Sequence, residues 1–161
     1  MTQASLRDLL PQLVSGPPHP QALGFQLEGV EDDVVILRCP YREDLIGDPD
    51  SRVLAGGVVT TLLDHVCGMA VWVKLDRYLP IATLDLRIDY MRAAEPGLDL
   101  MARARCYKLT RSIAFVRAWA YDRDHKDPVA AAQSAFVLES DAGRKPGANR
   151  PDSPRIGGAS R

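Results

Sequence analysis

The chain has almost no net charge: 20 Lys and Arg face 21 Asp and Glu over 161 residues, a formal charge of -1. A duplex-DNA binder needs a strong positive field, so that class is disfavoured. Cysteine and histidine are scarce, three of each. Cys39, Cys67 and Cys106 lie far apart in apolar segments and form no Cys-x-x-Cys pair, so neither a zinc site nor a redox couple is expected. They read as reduced thiols packed as small hydrophobes. His19, His65 and His125 are scattered too, which leaves no evident metal cluster. No stretch approaches the roughly 20 apolar residues that span a bilayer. The start, Met1 to Asp8, lacks the basic residues and apolar run of a signal peptide. A cytoplasmic protein is the expectation.

What is present is 46% hydrophobic and 25% charged, the composition of one soluble domain with a real core. The neutrality hides a split. Residues 141–161 carry five Lys or Arg against two Asp, and seven Gly or Pro, leaving a body of about -4 and a tail of about +3. With Ile156 its single sizeable aliphatic, the tail cannot repay its ordering entropy and is predicted to be disordered. The expected organisation is an N-terminal helix and linker over 1–18, a domain over 19–140 and the basic tail.

Within the body, Leu6, Leu9, Leu10 and Leu13 recur at helical spacing behind a Ser5 cap, and Pro17-Pro18 ends that helix. Phe25–Val30 and Val34–Cys39 read as a hairpin, and Tyr41–Arg52 as a loop. Gly56–Leu75 is apolar around most of its circumference, the mark of a helix buried on most sides. Leu84, Leu86, Ile88 and Tyr90 then alternate with Thr83, Asp85, Arg87 and Asp89 as a strand with one apolar face. Strands follow over Leu98–Cys106, Ser112–Tyr121 and Val129–Leu138. On the second of these, Ala114, Val116, Ala118 and Ala120 form a small-residue face suited to close packing. Short turns imply antiparallel pairing, so the expected architecture is α+β, a curved antiparallel sheet wrapped on one long central helix.

Asp64 stands out because it lies in the middle of that apolar helix, where an unpartnered carboxylate would cost several kcal/mol. Thr60, Asp64 and Gly68 recur every four residues, with Thr61 and His65 beside them, as a narrow polar stripe. The stripe's own hydroxyls could satisfy Asp64, a subunit surface could solvate it, or it could act in catalysis. Gly56-Gly57 opens the helix. Unpaired first-turn amides with the helix dipole behind them favour a developing negative charge, as an oxyanion hole requires, although Gly-Gly before a helix is commonly only a turn. Asp64 lies eight residues beyond Gly56, about 12 Å along the axis, so one reacting carbonyl cannot touch both in one chain. Two antiparallel helices across a two-fold axis would bring them together, which makes a catalytic reading depend on a dimer with two composite sites.

The segment running from Asp48 through Ala55-Gly-Gly, Leu62-Leu-Asp64-His and Gly68-Met-Ala70 resembles the signature of hotdog-fold acyl-CoA thioesterases of the phenylacetate-degradation (PaaI-like) type. The similarity continues through Ala82–Arg92 and the later strands. It implies the helix-in-sheet fold, dimers that pair their sheets, and assembly of such pairs into tetramers. It also implies that Asp64 is the carboxylate that activates water or attacks the thioester. Gly56 then supplies the amide that polarises the carbonyl, Gly57 supports the turn, and Thr83 helps hold the attacking water. Asp48, Ala55, Thr61 and Arg111 become candidate substrate contacts. Ala55 stands where the resemblance calls for histidine, and Asp48 near a usual asparagine. His65 points about 100° away from Asp64 and is read as structural.

A thioester already has an electrophilic carbonyl and a stable thiolate leaving group, so one carboxylate and one oxyanion donor suffice without metal or cofactor. There is no Gly-x-Ser-x-Gly elbow to suggest the other common thioesterase architecture. The expected activity is hydrolysis of a small or medium acyl-CoA, aromatic acyl groups included, coenzyme A entering only as part of the substrate. Arg103, Arg105, Arg111 and Arg117 are the candidates for its phosphates. The competing expectation is a hotdog protein that binds acyl-CoA without turnover.

Overall fold

The computed structural model describes residues 6–139; the Ser5 cap and the segment 141–161 lie outside the described residues. Helices α1 (Leu6–Ser15) and α2 (Pro18–Leu23) precede strands β1 (Gln26–Glu31) and β2 (Val34–Cys39). A 3-10 turn at Glu43–Leu45 leads into β3 (Ile46–Asp48) and β4 (Val53–Leu54), then the central helix α3 (Gly56–Leu75). Strands β5 (Ile81–Tyr90), β6 (Leu100–Leu109), β7 (Ile113–Tyr121) and β8 (Ala130–Leu138) complete the chain. The α+β architecture expected from the sequence is the one observed.

Two local expectations change. Pro17-Pro18 does end α1, but Pro18 also starts a second short helix, because a first helical position has no amide bond to lose. Gly24, at φ 74°, closes it, with its N–H bonded to the Gln21 carbonyl at 3.0 Å. The stretch read as a loop, Tyr41–Arg52, contains the 3-10 turn and β3, which pairs with β4 as a two-stranded ribbon.

The main sheet is antiparallel throughout, in the order β1-β2-β6-β7-β8-β5. Consecutive strands therefore do not all pair. The link 91–99 carries the chain from β5 across the ends of β8 and β7 to β6, three strand spacings or about 14 Å, well within the reach of nine residues. The helix-facing surface is floored by alanine, with Ala102 opposite Ala120 and Ala104 opposite Ala118, and Ala118 and Ala120 opposite Ala132 and Ala130. These side chains are buried, and their small size lets α3 settle onto the sheet with Leu62, Leu63, Val66, Cys67, Met69, Ala70 and Val71 inward.

By length and composition α3, 20 residues long, is apolar enough to cross a bilayer, which revises the expectation that no stretch comes close. Its apolarity has a local cause: ten of its residues are buried in the core it shares with the sheet, and α1 packs on it with Leu6, Leu10 and Val14 buried. All three cysteines are buried and free. Burial pushes the Cys39 thiol up to about 11, which suits the reading as inert core thiols.

Candidate active site

The strand β5 departs from simple alternation. Its pairing with β8 slips between Thr83 and Asp85, so Leu84 is the extra residue of a β-bulge and is 62% exposed. The bulge changes which residues share a face. Thr83 lies opposite Phe136, Leu86 opposite Ser134, Ile88 opposite Ala132 and Tyr90 opposite Ala130, and these β8 partners are buried. Thr83 therefore joins Leu86, Ile88 and Tyr90 on the helix side, and Leu84 leaves it. Strict alternation puts Thr83 on the opposite face, because an inserted residue is invisible to a period-2 pattern.

With that switch, β5 grips the polar stripe of α3 at two points. Thr83 Oγ1 donates to Asp64 Oδ1 at 2.9 Å. At the other end, Tyr90 Oη donates to the Gly56 carbonyl at 2.9 Å and lies 2.7 Å from Thr60 Oγ1, which is itself 3.1 Å from the same carbonyl. Asp64 is half-buried, and its Oδ2 makes no hydrogen bond among the described residues. One oxygen is thus oriented by the strand and the other is available to a water or a substrate.

The start of α3 has the donors an anion would need. Gly56 and Gly57 are exposed, while the Val58 N–H is already bonded to the Ala55 carbonyl at 2.9 Å. The Ala55 N–H is anchored to the Leu45 carbonyl at 2.9 Å, which ties the helix start to the 3-10 turn. Gly47 lies so close that a Cβ there would come within 2.7 Å of the Ala55 Cα. Beside Gly56 is a cleft of about 380 Å³, walled by Val53, Leu54, Val59, Tyr90, Met91, Ala94 and Val129, with Arg92 at its side. Arg92 is held there by Asp122, whose buried carboxylate it grips with two nitrogens at 2.8 and 2.6 Å. Arg92 and the amides of Glu95 and Arg123 hold the Asp122 carboxyl far below the usual carboxylate range.

The structure sorts the remaining candidates. Thr61 donates to the Gly57 carbonyl at 2.8 Å, so its hydroxyl is engaged within the helix. Asp48 accepts from the Ser51 hydroxyl and from the Asp50 and Ser51 amides. These bonds keep its carboxyl below its ordinary pKa and give it a turn-capping part. Arg111 is exposed in the turn between β6 and β7. Of the other arginines proposed for phosphates, Arg105 is paired with Asp33 at 2.7 Å and Arg117 lies over the Tyr107 ring at 4.9 Å. Arg103, Arg105 and Arg117 alternate with the buried alanines of β6 and β7, and so face away from α3. His65 Nε2 lies 3.2 Å from the Val14 carbonyl, with its ring near Phe25, so it serves the α1–α3 contact.

Sequence reasoning assigns no site role to Tyr90 or Thr60. A usable signal exists: a phenol on the apolar face of a strand needs a hydrogen-bond partner, and a free helix start is the nearest place for one.

Comparisons with known proteins place the chain in a family. Residues 52–129 match the family model described as "Thioesterase superfamily". A Pseudomonas aeruginosa protein of known structure is 39% identical, with a TM-score of 0.75 over 82% of this chain and 98% of its own. Escherichia coli K12 YigI, a medium/long-chain acyl-CoA thioesterase, is 25% identical over 134 residues, 75% of this chain and 85% of its own. A mutant of the phenylacetic acid degradation protein PaaI from Thermus thermophilus superposes with a TM-score of 0.64 over 75% of this chain and 98% of its own. At 23% identity that last likeness is one of fold. The chain belongs to the thioesterase superfamily: it is a thioester hydrolase built on the hotdog fold.

Proposed function

We propose that the protein is a cytoplasmic acyl-CoA thioesterase acting on small or medium acyl groups, through sites shared between two subunits. The observation that carries this reading is the pairing of Thr83 with Asp64 at 2.9 Å on α3, with two exposed glycines at the start of the same helix. In one chain these groups are separated by about 12 Å of helix. Strand β5 offers the means of joining two chains: it is a ten-residue edge strand that pairs, among the described residues, with β8 alone, and Leu84 and Tyr90 in it and Met91 after it are 62%, 52% and 57% exposed. Pairing of β5 with its symmetry mate would set two α3 helices antiparallel, Asp64 of each facing Gly56 of the other. A dimer of such dimers is the larger assembly we propose.

In that site the Gly56 amide binds the thioester oxygen, and the apolar cleft beside it takes the acyl group. Asp64 accepts a proton from water as its oxygen attacks the carbonyl carbon. The tetrahedral intermediate then collapses, the C–S bond breaks, and the proton passes to the coenzyme A thiolate. Thr83 orients Asp64 and the water. Ala55 contributes no side-chain donor, so the helix start relies on backbone contacts from Leu45 and Val58.

The test follows thiol release from a panel of aliphatic and aromatic acyl-CoAs with wild type and Asp64→Asn. Turnover by wild type and a loss of at least about 100-fold in the variant are expected. Equal release by both proteins would remove Asp64 from the mechanism. Binding without release would favour the non-catalytic acyl-CoA-binding reading. Light scattering should give a dimer or larger; a monomer at micromolar concentration would defeat the shared site.

A further inference from the structure

We infer that Tyr90, with Thr60, is a positioning residue of the oxyanion hole, holding and polarising the Gly56–Gly57 peptide so that the Gly57 amide becomes a second donor beside that of Gly56. This rests on the thioesterase reading above and deepens it.

The argument is one of hydrogen-bond accounting. The Gly56 carbonyl and the Gly57 N–H belong to the same peptide unit. That carbonyl is approached by Tyr90 Oη at 2.9 Å and Thr60 Oγ1 at 3.1 Å, while the two hydroxyls are 2.7 Å apart. Two hydroxyl protons are available for these contacts. Whichever way the Thr60–Tyr90 bond runs, at least one proton points at the carbonyl oxygen. A donor on a carbonyl draws electron density from the amide nitrogen and strengthens its N–H as a donor, the cooperative effect of linked hydrogen bonds. The neighbouring unit is prepared the same way: the Ala55 carbonyl accepts from the Val58 N–H at 2.9 Å, and its partner amide is that of Gly56. Two successive N–H groups, both of exposed residues and both on polarised peptides, thus stand at the positive end of α3.

Position 56 lies directly beside the phenol: a Cβ there would sit 3.8 Å from Tyr90 Oη, in ordinary contact. Tyr90 stands at the end of β5, opposite Ala130, whose small side chain leaves the phenol free to lean toward the helix.

Tyr90 also lines the cleft, so its ring and its hydroxyl must be separated experimentally. Tyr90→Phe keeps the wall and removes the hydroxyl. Loss of a whole oxyanion donor costs about 100- to 1,000-fold in kcat. Loss of the group that polarises one donor should cost a fraction of that, about tenfold in kcat with KM within about twofold. Thr60→Val should act in the same direction, and the double variant should lose less than the product of the two, because both act on one carbonyl. A kcat within about twofold of wild type, or a rise in KM alone, would overturn the assignment. A readout independent of turnover is the Gly57 amide nitrogen resonance in labelled protein. It should move upfield in Tyr90→Phe as the carbonyl bond is lost, and an unmoved resonance would overturn the proposal even if no acyl-CoA were hydrolysed. Failure of wild type to release thiol, with the resonance moving as expected, would instead count against the thioesterase reading.

Discussion

Replacing Asp122 with alanine should cost far more stability than breaking the ion pair beside it. The carboxylate is 2% exposed and accepts two bonds from Arg92 and one each from the Glu95 and Arg123 amides. Truncation leaves the Arg92 guanidinium, among the described residues, with Asp127 alone for a charge partner, and leaves two amides without their acceptor. Breaking a buried pair by removing one partner costs about 3–5 kcal/mol, and because Arg92 is 30% exposed the lower end, about 3 kcal/mol, applies. At roughly 2–4 °C per kcal/mol for a domain of this size, the melting temperature should fall by about 6–12 °C. The control is Arg123→Ala, which removes an exposed pair with Glu95 and should leave the melting temperature nearly unchanged. The pH dependence follows from the carboxyl being held below its ordinary value when folded. Its contribution is complete above the unfolded pKa of about 3.9 and is lost as pH falls through the lower folded value. The gap between wild type and Asp122→Ala should therefore be constant from about pH 5 to 8, begin to narrow below about pH 4 and go on narrowing as pH falls toward the lower folded value. Thermal scans in which the two alanine variants melt together, or in which the gap does not narrow in acid, would refute this reasoning.

Other consequences concern the site and its supports. Gly47→Ala would press a Cβ against the Ala55 backbone at 2.7 Å, so it should cost about 1–3 kcal/mol in denaturant unfolding and lower kcat by disturbing the helix start. Thr83→Val removes the donor to Asp64 and should lower kcat about tenfold with little change in melting temperature, while Thr83→Ser should restore most of the rate. Burial lowers the His65 pKa, so the unfolded state binds its proton more readily. Stability should thus fall as pH drops below about 6.5, and melting curves of His65→Phe should show a weaker fall.

The sequence was most legible where one force acted alone. The bounds of α3 follow from its continuous apolarity between Gly56 and the polar run after Leu75, and the inner face of β6 and β7 from strict alternation. It was least legible where a single residue resets the pattern. Leu84 is apolar and in phase with Leu86, yet the bulge expels it and turns Thr83 inward, and only the pairing with β8 records this. The crossing of the 91–99 link was hidden for a similar reason: a Glu-Pro-Gly turn is compatible with both a hairpin and a longer connection. Asp64 and the glycines could be singled out from chemistry and resemblance. The grip of Tyr90 on Gly56 joins residues 34 positions apart and depends on the register of β5. The arginines of β6 and β7 looked eligible for phosphates by charge, but alternation with the buried alanines carries three of them to the far face.

The claim that each site is shared between subunits can be tested most directly by complementation. Asp64→Asn removes the carboxylate, and Gly56→Pro removes one amide at a first helical position where proline is tolerated. Each variant alone should lose about 100-fold or more in activity. When the two chains are co-expressed, half of the dimers are mixed, and each mixed dimer holds one site with an intact Asp64 from one chain and an intact Gly56 from the other. About one quarter of wild-type activity per chain should return. If the two groups acted within one chain, no mixed dimer would contain a complete site, and the co-expressed protein would remain as inactive as its parents.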